Sequence, residues 1–367
     1  MRVLQIIDNM NRGGAQAFIM NIYRKIDREI LQFDFLLHTK EECAFNDEIR
    51  SLGGKIYTVP PRNQGILKNK KALNDFFKEH SDYKVIHHHV SSLTYVTPLK
   101  IASNYNVPHR IVHSHNTKQG GSYVHNFIHR YNQMFVKNFA TDYFACSQEA
   151  AKWLFGETLS DNYDSSVVRN GIDVSKFKYD KTLRDNIRSE LKIGNKIALG
   201  HIGRFMHQKN HEFLIDIFYE FHKINSNSVL ILVGEGELKN KIEEKVVIKG
   251  LKDNVLFLGS RSNVNELLQA FDLFVMPSFH EGLPVTLVEA QAASLPCVIS
   301  DGITHEVDLL NHIKYVSLRE SAKNWAQSCL QVISNNFRKD ESLLITNSGF
   351  DSSSVAQMLS EKYLNYR

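Results

Sequence analysis

The sequence predicts an α/β protein with two doubly wound domains, each a parallel sheet with helices on both faces. A chain of 367 residues is too long for one ordinary hydrophobic core. Short apolar runs alternate with segments of helical period, in two successive series. A turn signal at Asn170-Gly171 separates the two series. We therefore predict one domain over 1–170 and a second over 171–350.

Each predicted strand is a short apolar run, and helix-like segments lie between the strands. The strands of the first series are predicted at 3–7, 33–37, 55–59, 85–88, 110–113 and 143–145, with helices at 15–26, 71–79, 93–103 and 124–138. The strands of the second series are predicted at 197–202, 229–233, 255–258, 273–276 and 297–299, with helices at 212–223, 237–248, 285–293 and 322–333. The polar, charged stretch that runs through residue 190 is interpreted as part of the join.

The composition argues against a disordered or membrane-spanning chain. Hydrophobic residues make up 43% and charged residues 23%, as in soluble globular proteins. No stretch approaches the roughly 18 apolar residues of a transmembrane helix. The N-terminus is interpreted as a buried strand, because a signal peptide needs a basic flank and a longer apolar run. The four cysteines are scattered, which is typical of buried free thiols in a reducing cytoplasm.

The formal net charge of +4 comes from the first half of the chain, because basic residues outnumber acidic ones only over residues 1–170. A mildly basic half suits an anionic partner. Nucleic acid is not expected, since no basic stripe is interleaved with stacking aromatics. Lys68-Asn69-Lys70-Lys71 and the aromatic, basic segment 123–139 lead to a separate hypothesis, peripheral contact with an anionic membrane. The alternative interpretation is a solvated loop and a core helix.

Two cations follow the first strand of the second series. Gly203 permits a tight turn, Arg204 offers a planar guanidinium, and Lys209 offers a compact ammonium. These are complementary ways of holding phosphate oxygens, and a helix starting near Asn210 adds its N-terminal dipole. The alternative is an ordinary strand-to-helix turn with two exposed cations.

Two carboxylates follow a later strand of the same series, with the spacing E-x7-E. Glu281 lies in the loop before the helix predicted at 285–293, and Glu289 lies about one turn into that helix. Gly282 permits close backbone approach, and Pro284 suits a first helical position. Carboxylates there can accept hydrogen bonds from ribose hydroxyls, while the loop amides and the helix end face a phosphate.

Two glycine-rich turns also end predicted strands. Gly234 and Gly236 belong to one, but Lys239 stands where a nicotinamide fingerprint has its third glycine, so that fingerprint is not supported. Gly13 and Gly14 form the other, and this turn is flexible enough to fold over a diphosphate. The alternative for Gly13-Gly14 is a turn that only joins a strand to a helix.

Histidines cluster at two strand ends of the first series. Alternation along a strand sends His87 and His89 to one face of the sheet and His88 to the other. A metal site is possible in principle, but the cluster itself contains no H-x-x-x-H pair and no Cys partner. We therefore favour a polar lining for a sugar-binding cleft. The residues assigned to that lining are His89, His113, His115 and Asn116.

Taken together, these residues resemble glycosyltransferase family 4, whose members are retaining enzymes with two Rossmann-like domains facing across a cleft (the GT-B fold). The likeness runs over almost the whole chain and is most specific in the second half. Within the family, the chain is most similar to bacterial exopolysaccharide and capsule transferases. The matching motifs are Gly13-Gly14, His87-His88-His89, His113-Ser114-His115-Asn116, Asn170-Gly171-Ile172-Asp173, Gly203-Arg204, Lys209-Asn210, Gly234-Glu235-Gly236, Pro277-Ser278, Glu281-Gly282-Leu283-Pro284 and Glu289-Ala290.

The resemblance implies catalytic and donor-binding roles for single residues. Arg204 and Lys209 would hold the donor phosphates and neutralise the leaving diphosphate. Glu289 would bind the ribose hydroxyls, and Glu281 would bind hydroxyls of the transferred sugar. The other donor-binding residues implied are Gly13, Gly14, Gly203, Gly234, Gly236, Arg261, Gly282, Leu283 and Pro284.

In the first domain, the resemblance places Gly14 near the diphosphate and His115 beside the anomeric carbon, with His113 as the alternative for that place. Retaining enzymes of this kind pass through an oxocarbenium-like state, and the donor phosphate takes the acceptor's proton. No carboxylate nucleophile is then required. One departure is Ser294, which stands where the family often has Gly. The segment 351–367 resembles the family's terminal helix, which packs back on the first domain.

The implied function is transfer of a sugar from a nucleotide-sugar donor, expected to be UDP-linked, to a glycan or undecaprenyl-diphosphate-linked acceptor in surface polysaccharide synthesis. The chain has no D-x-D motif, so we expect a metal-independent enzyme without a cofactor. The expected location is the cytoplasm, at the inner face of the cell membrane. Two alternatives remain: an epimerase of the UDP-N-acetylglucosamine 2-epimerase type, which needs further acid–base carboxylates, and a catalytically silent nucleotide-sugar binder.

Overall fold

The computed structural model describes residues 1–116, 122–156, 167–334 and 338–366. The chain forms two compact units. The first contains Met1–Ile172 and Gly349–Arg367, and the second contains Asp173–Ser348. The terminal segment predicted as a helix belongs to the first unit, although residue 367 lies outside the described part of the chain.

The first unit contains a sheet of six parallel strands in the order β3-β2-β1-β4-β5-β6. The strands are β1 (Arg2–Ile7), β2 (Gln32–Leu37), β3 (Ile56–Thr58), β4 (Val85–Val90), β5 (His109–Ser114) and β6 (Asp142–Ala145). The helices of this unit are Gly14–Tyr23, Asn46–Ser51, Ile66–Glu79, Thr97–Asn104, Tyr123–Phe135, Gln148–Phe155 and Ser352–Leu364. The predicted helix at 93–103 begins instead at Thr97, because Pro98 suits a first helical turn.

The second unit contains a sheet of six parallel strands in the order β12-β11-β10-β7-β8-β9. The strands are β7 (Ile197–Ile202), β8 (Ser228–Val233), β9 (Val255–Phe257), β10 (Leu273–Met276), β11 (Cys297–Ser300) and β12 (Ile313–Val316). The helices of this unit are Val174–Phe177, Lys181–Glu190, His211–Ile224, Lys239–Ile248, Val264–Ala270, Val285–Ala292, Ala322–Ser334 and Ser342–Ile345. The two parallel sheets with their helices confirm the predicted fold class.

Several elements of the second unit are absent from the sequence-based prediction, and two of them have a clear physical reason. The edge strand β12 was not predicted, because its exposed Lys314 interrupts the apolar run that marks buried strands. The polar stretch through residue 190 was interpreted as a join, but Lys181–Glu190 is a helix. Asp180 caps it by accepting a hydrogen bond from Leu183 N at 2.9 Å, and Ile187 is buried.

The terminal helix Ser352–Leu364 is part of the first unit's core. Tyr363 lies edge-on to Phe33 at 5.9 Å, and both side chains are buried. The backbone of Ile172 bonds both Phe350 and Ser352, each at 2.8 Å. A Cβ on Gly171 would lie 2.9 Å from Ser352 Cα, so the glycine of the Asn-Gly pair is needed for this close approach as well as for a turn.

The four cysteines are buried free thiols, as predicted. Among the described residues, no helix combines the length and the hydropathy that crossing a bilayer requires.

Candidate active site

The strand order of each sheet reverses between two neighbouring strands, and ligands of open α/β sheets bind outside the carboxyl ends of such a pair. In the second unit the reversal lies between β7 and β10. The loop with Arg204 and Lys209 follows β7, and the loop with Glu281 follows β10. The topology therefore brings the predicted cations and carboxylates together at one place.

Hydrogen bonds hold these two loops to each other. Phe279 N donates to Gln208 O at 2.9 Å, and the Asn210 side-chain amide donates to Pro277 O at 3.1 Å. Asn210 adopts a left-handed conformation with φ of 54°, which asparagine tolerates better than most residues. The loops are thus one connected layer.

Lys209 and Glu281 form an ion pair within this layer. Lys209 Nζ lies 2.8 Å from Glu281 Oε1, and both side chains are largely buried. Gln208 Nε2 donates to His280 O at 2.8 Å and to Glu281 Oε2 at 3.3 Å. Sequence reasoning gave Lys209 and Glu281 separate ligands, and it missed Gln208, whose only signal was its place beside Lys209. The pairing gives each of these two buried charged groups a counter-charge within the site.

Arg204 differs from Lys209 in its surroundings. Its side chain is exposed, and within the described ranges it forms no side-chain hydrogen bond or ion pair. A guanidinium has five N–H donors, which suit the oxygens of a phosphate. The site therefore contains two kinds of cation. Lys209 already has a carboxylate partner, whereas Arg204 has none among the described residues.

The glycines near Arg204 are required by close packing of the protein backbone. Gly234 has φ of 143°, and a Cβ there would lie 2.1 Å from Gly203 O. A Cβ on Gly236 would lie 2.5 Å from Phe205 O, and one on Gly203 would lie 3.2 Å from Lys209 Cδ. Gly234 and Gly236 thus support the loop that carries Arg204, which explains their identity without a ligand.

Glu289 lies on the fifth residue of the helix Val285–Ala292. No side chain caps this helix, which begins directly after Pro284. Gly282, Leu283 and Pro284 are buried in the preceding loop. Desolvation raises the pKa of the Glu289 carboxyl to about 8. A carboxyl that holds its proton near neutral pH is typical of functional sites, and it can both donate and accept hydrogen bonds.

Arg261 follows β9, two strands from β7. Its Nε donates to Asn263 Oδ1 at 3.1 Å, and a terminal nitrogen lies 3.7 Å from Glu190 Oε1. Across the described residues it has no polar contact with Arg204 or with the Lys209–Glu281 pair. The loop that carries Arg261 is joined to another predicted donor-binding loop, because Gly234 N donates to Gly259 O at 2.8 Å. The donor-binding role of Arg261 stays a prediction.

Gly13 and Gly14 lie at the start of the helix Gly14–Tyr23 in the first unit. Gly13 is extended, with φ of −165°, and caps the helix without a side chain. A Cβ on Gly14 would meet no atom within 4 Å, and both glycines are exposed. The fold of this unit does not require glycine at position 14. The uncapped helix end leaves backbone amides open to an anion.

The histidines at the ends of β4 and β5 form two hydrogen-bonded pairs, and the rings of one pair stack on the rings of the other. His87 Nε2 lies 3.0 Å from His113 Nδ1, and His89 Nδ1 lies 2.8 Å from His115 Nε2. The rings of His87 and His89 stack at 4.2 Å, and those of His113 and His115 stack at 4.1 Å. As predicted, His88 lies apart, edge-on to Tyr95.

The burial of this cluster corrects one expectation. The His113 side chain has no exposed surface and that of His89 has very little, so neither lines an open polar cleft within this unit. Desolvation holds the pKa of both imidazoles well below the usual value. His115 and Asn116 keep partial exposure, and burial lowers the pKa of His115 to about 3. All these rings are neutral at physiological pH.

The outer partners of the cluster determine which ring nitrogens carry protons. Gln5 Oε1 lies 2.8 Å from His89 Nε2. With the Gln5 amide oxygen as the acceptor, His89 carries its proton on Nε2 and its Nδ1 accepts from His115 Nε2. His115 Nδ1 is then a bare acceptor, and no described residue bonds to it. The hydrogen-bonded series Gln5–His89–His115 therefore ends in an acceptor lone pair on His115 Nδ1, at the end of β5.

Three of these rings lie close enough together to bind one metal ion, but their ring orientations do not suit a shared ion. His87, His89 and His113 offer ligand atoms within 4.8 Å of one another. Imidazole lone pairs lie in the ring plane, and the planes of His87 and His89 stack only 20° from parallel. Two stacked rings cannot aim at one ion unless one of them turns. The hydrogen bonds alone account for the arrangement.

The family models and the similar proteins all indicate glycosyltransferases. Residues 12–176 match the family model described as Glycosyltransferase Family 4, and residues 184–347 match Glycosyl transferases group 1. EpsF of Bacillus subtilis, which carries the name of a glycosyltransferase, is 37% identical over 333 residues, covering 89% of this chain and 86% of that protein. An Escherichia coli protein named UDP-Gal:alpha-D-GlcNAc-diphosphoundecaprenol alpha-1,3-galactosyltransferase is 27% identical over 305 residues, covering 79% of this chain and 76% of that protein.

A solved structure shares the fold over its full length. The crystal structure of HepE from Anabaena in complex with UDP-glucose has a TM-score of 0.75 to this chain, with 20% identity and full coverage of both chains. At that identity the likeness shows the fold, which is the two-domain GT-B architecture. With the matches of both halves to family models and the identity to EpsF, the chain belongs to the family 4 glycosyltransferases.

Proposed function

We propose that this chain transfers a sugar, with retention of anomeric configuration, from a UDP-sugar to a lipid-linked oligosaccharide in bacterial surface polysaccharide synthesis. The observation that carries this proposal is the buried Lys209–Glu281 ion pair beside the exposed Arg204, at the strand reversal of the second unit. In support, the E. coli relative is named for a UDP-galactose donor and a diphosphoundecaprenol-linked acceptor, and HepE was solved with UDP-glucose.

Each charged residue has a role in holding the donor. Arg204 binds the diphosphate, and Lys209 turns toward the same phosphates when the donor enters. Glu281, released from Lys209, accepts hydrogen bonds from hydroxyls of the transferred sugar. Glu289, whose raised pKa lets it donate as well as accept, binds the ribose hydroxyls. The uncapped start of the helix Val285–Ala292 adds amides to the phosphate side.

The reaction needs charge stabilisation more than a nucleophilic side chain. The bond between the anomeric carbon and the diphosphate oxygen breaks, while the acceptor hydroxyl oxygen bonds to the same carbon from the same face. The hydroxyl proton passes to the departing phosphate oxygen. Arg204 and Lys209 stabilise the negative charge that grows on the diphosphate. Because two cationic side chains supply this charge, we propose a metal-independent reaction without a cofactor.

The role of His115 beside the anomeric carbon stays a prediction from the family resemblance. The hydrogen bonds of the first unit are compatible with it, because they leave His115 neutral with an acceptor nitrogen. A neutral acceptor suits a sugar hydroxyl better than it suits a phosphate. His113, the alternative, has no exposed surface from which to reach a sugar.

The test is a transfer assay with a panel of UDP-glucose, UDP-galactose, UDP-N-acetylglucosamine and GDP-mannose, using a lipid-diphosphate-linked acceptor. Proton NMR of the product should show the donor's α configuration. A β-linked product would contradict retention. An epimerised nucleotide sugar formed without transfer would support the epimerase alternative. Donor binding with neither hydrolysis nor transfer would support a silent binder.

Lys245 provides the matched control for the donor site. Its ammonium pairs with Asp216 at 2.6 Å in the same unit, but on two helices rather than on the loops that follow β7 and β10. Lys209→Ala should reduce turnover by about a hundredfold or more, the size usual for a charge that stabilises a transition state. Lys245→Ala should retain activity close to wild type. Equal activity of all three proteins would contradict the proposed grip on the diphosphate.

A further inference from the structure

The helix Tyr123–Phe135 of the first unit carries its apolar side chains outward. Tyr123 is 96% exposed and Phe127 is 70% exposed. Positions 123, 127, 131 and 134 follow helical spacing, which places their side chains on one face. The exposed apolar residues of this helix are Tyr123, Val124, Phe127, Ile128, Tyr131, Met134 and Phe135.

The opposite, buried face of this helix is polar. His129 Nδ1 accepts a hydrogen bond from Leu93 N at 3.0 Å, and Asn132 Nδ2 donates to Leu93 O at 2.6 Å. The His129 ring stacks on Trp153 at 4.4 Å, and its Nε2 lies 3.2 Å from Trp153 O. A surface helix normally turns its apolar side inward and its polar side to water. This helix does the reverse, so its outward face suits apolar surroundings outside the chain.

A second exposed apolar segment contacts the same loop. The helix Ile66–Glu79 begins with Ile66 and Leu67, and Leu67 is 82% exposed. One turn on, the buried Asn69 accepts a hydrogen bond from Tyr95 Oη at 2.7 Å. Tyr95 lies two residues after Leu93, which binds the other helix. The two apolar segments therefore flank one loop after β4.

The two stretches that carry the exposed apolar side chains are basic. Residues 62–74 and 122–141 contain no Asp or Glu, and the first acidic residue after the first stretch is the exposed Asp75. Every Lys and Arg of the two stretches is exposed, and these residues are Arg62, Lys68, Lys70, Lys71, Arg130 and Lys137. Exposed apolar side chains that alternate with exposed cations complement a surface of anionic lipid headgroups over acyl chains.

We propose that this surface, formed by Tyr123–Phe135 and the start of Ile66–Glu79, docks on an anionic lipid bilayer. The helix has 13 residues, fewer than the roughly 20 that a membrane span requires, so it lies in the interface. Its apolar side chains enter the boundary between headgroups and acyl chains, and the cations contact lipid phosphates. The docking deepens the proposed function, because a lipid-linked acceptor is reached at a bilayer surface, yet the binding itself requires no catalysis.

The test is vesicle flotation of the full chain without any nucleotide. We compare vesicles of phosphatidylglycerol and phosphatidylcholine with vesicles of phosphatidylcholine alone, at low and physiological salt. We expect binding to the anionic vesicles, weakened by salt. Phe127→Ser with Tyr131→Ser should weaken binding about tenfold or more, since two large side chains no longer leave water. Lys68→Glu with Lys71→Glu should weaken it to a similar extent.

Two controls keep the result unambiguous. Ile248→Ser removes another exposed apolar side chain, in the second unit, and should bind vesicles like the wild type. Thermal unfolding of the Phe127 and Tyr131 variants should match the wild type, because their side chains are exposed and outside the core. No binding to anionic vesicles, or equal binding by every variant, would overturn the proposal. Sedimentation showing a dimer that these serine variants dissociate, without vesicle binding, would assign the surface to a second copy instead. Donor binding by the second unit is unaffected by either outcome.

Discussion

Lys209 Nζ lies 2.8 Å from Glu281 Oε1, between loops that are hydrogen-bonded to each other at the strand reversal of the second unit. Removing one partner of a buried ion pair leaves the other charge uncompensated. A donor that brings both a diphosphate and sugar hydroxyls gives each charge a new partner at the same time. A nucleoside diphosphate without a sugar offers a new partner to Lys209 only.

The two partners should therefore respond differently to UDP and to UDP-sugar. In Glu281→Gln the ammonium of Lys209 is free for phosphate, so UDP should bind as tightly as in the wild type or up to about tenfold more tightly. Transfer should fall strongly, because the sugar loses a hydrogen-bond acceptor. Calorimetry with UDP and a turnover assay measure the two effects. Loss of UDP affinity as large as the loss of turnover would show that Glu281 has a different role.

The raised pKa of Glu289 predicts how stability depends on pH. The folded-state pKa of about 8 lies above the ordinary value of 4.5, so the folded protein binds more protons than the unfolded chain between these values. Stability should fall as pH rises through that window and level off above it. Glu289→Gln has no proton to lose and should be more stable than the wild type above pH 8. Because the side chain keeps some exposure to water, we expect a gain of about 1 kcal/mol.

Urea denaturation of the wild type and of Glu289→Gln at both ends of the window tests this prediction. Below pH 4.5 the two free energies of unfolding should agree. A constant difference across the window would mean that the carboxyl titrates normally in the folded protein. UDP affinity should fall in the same variant if Glu289 binds the ribose.

Ser294 lies in the left-handed region, with φ of 53°, two residues after the helix Val285–Ala292. Leu295 N bonds back to Ala290 O at 2.9 Å, which is the helix ending that usually has glycine at this position. Both Ser294→Gly and Ser294→Ala lose the long hydrogen bond from Glu341 N to Ser294 Oγ at 3.4 Å. Ser294→Gly should therefore be more stable than Ser294→Ala by about 1 kcal/mol in urea denaturation, because only glycine adopts this conformation without steric cost. Equal stability of the two variants would contradict this explanation.

The hydrogen bonds from Gln5 through His89 to His115 predict definite tautomers. Both His89 and His115 should carry the proton on Nε2. Long-range proton–nitrogen NMR spectra of the labelled protein report the tautomer of each ring directly, and His89→Asn assigns the signals. A proton on Nδ1 of His115 would mean that the Gln5 amide faces the other way and that His115 donates.

Most of the fold could be predicted from periodicity, since buried parallel strands are continuous apolar runs and Gly and Pro mark their ends. Edge strand β12 could not be predicted in this way, because solvent at a sheet edge permits the exposed Lys314. The helix Lys181–Glu190 could not be predicted either, because it is mostly polar and only its cap and a few inward side chains indicate it.

The candidate site could be predicted as a set of residues but not as an arrangement. Sequence spacing placed Arg204, Lys209, Glu281 and Glu289 at strand ends, and the topology then joined them. The ion pair between Lys209 and Glu281 depends on loop geometry that no local pattern encodes. The surroundings of His87 depend on a helix that is distant in the chain, because Tyr363, 276 residues away, lies 2.6 Å from His87 Nδ1.

We propose that Lys209, paired with Glu281 and flanked by Arg204, binds the diphosphate of a UDP-linked donor. Isothermal titration of the full chain with UDP measures this binding in the wild type, in Arg204→Ala, in Lys209→Ala and in the matched control Lys245→Ala. We predict that Arg204→Ala and Lys209→Ala each weaken UDP binding by about tenfold or more, while Lys245→Ala binds like the wild type. Equal affinity for UDP in all four proteins, or no heat of binding in any of them, would show that these side chains do not hold the diphosphate.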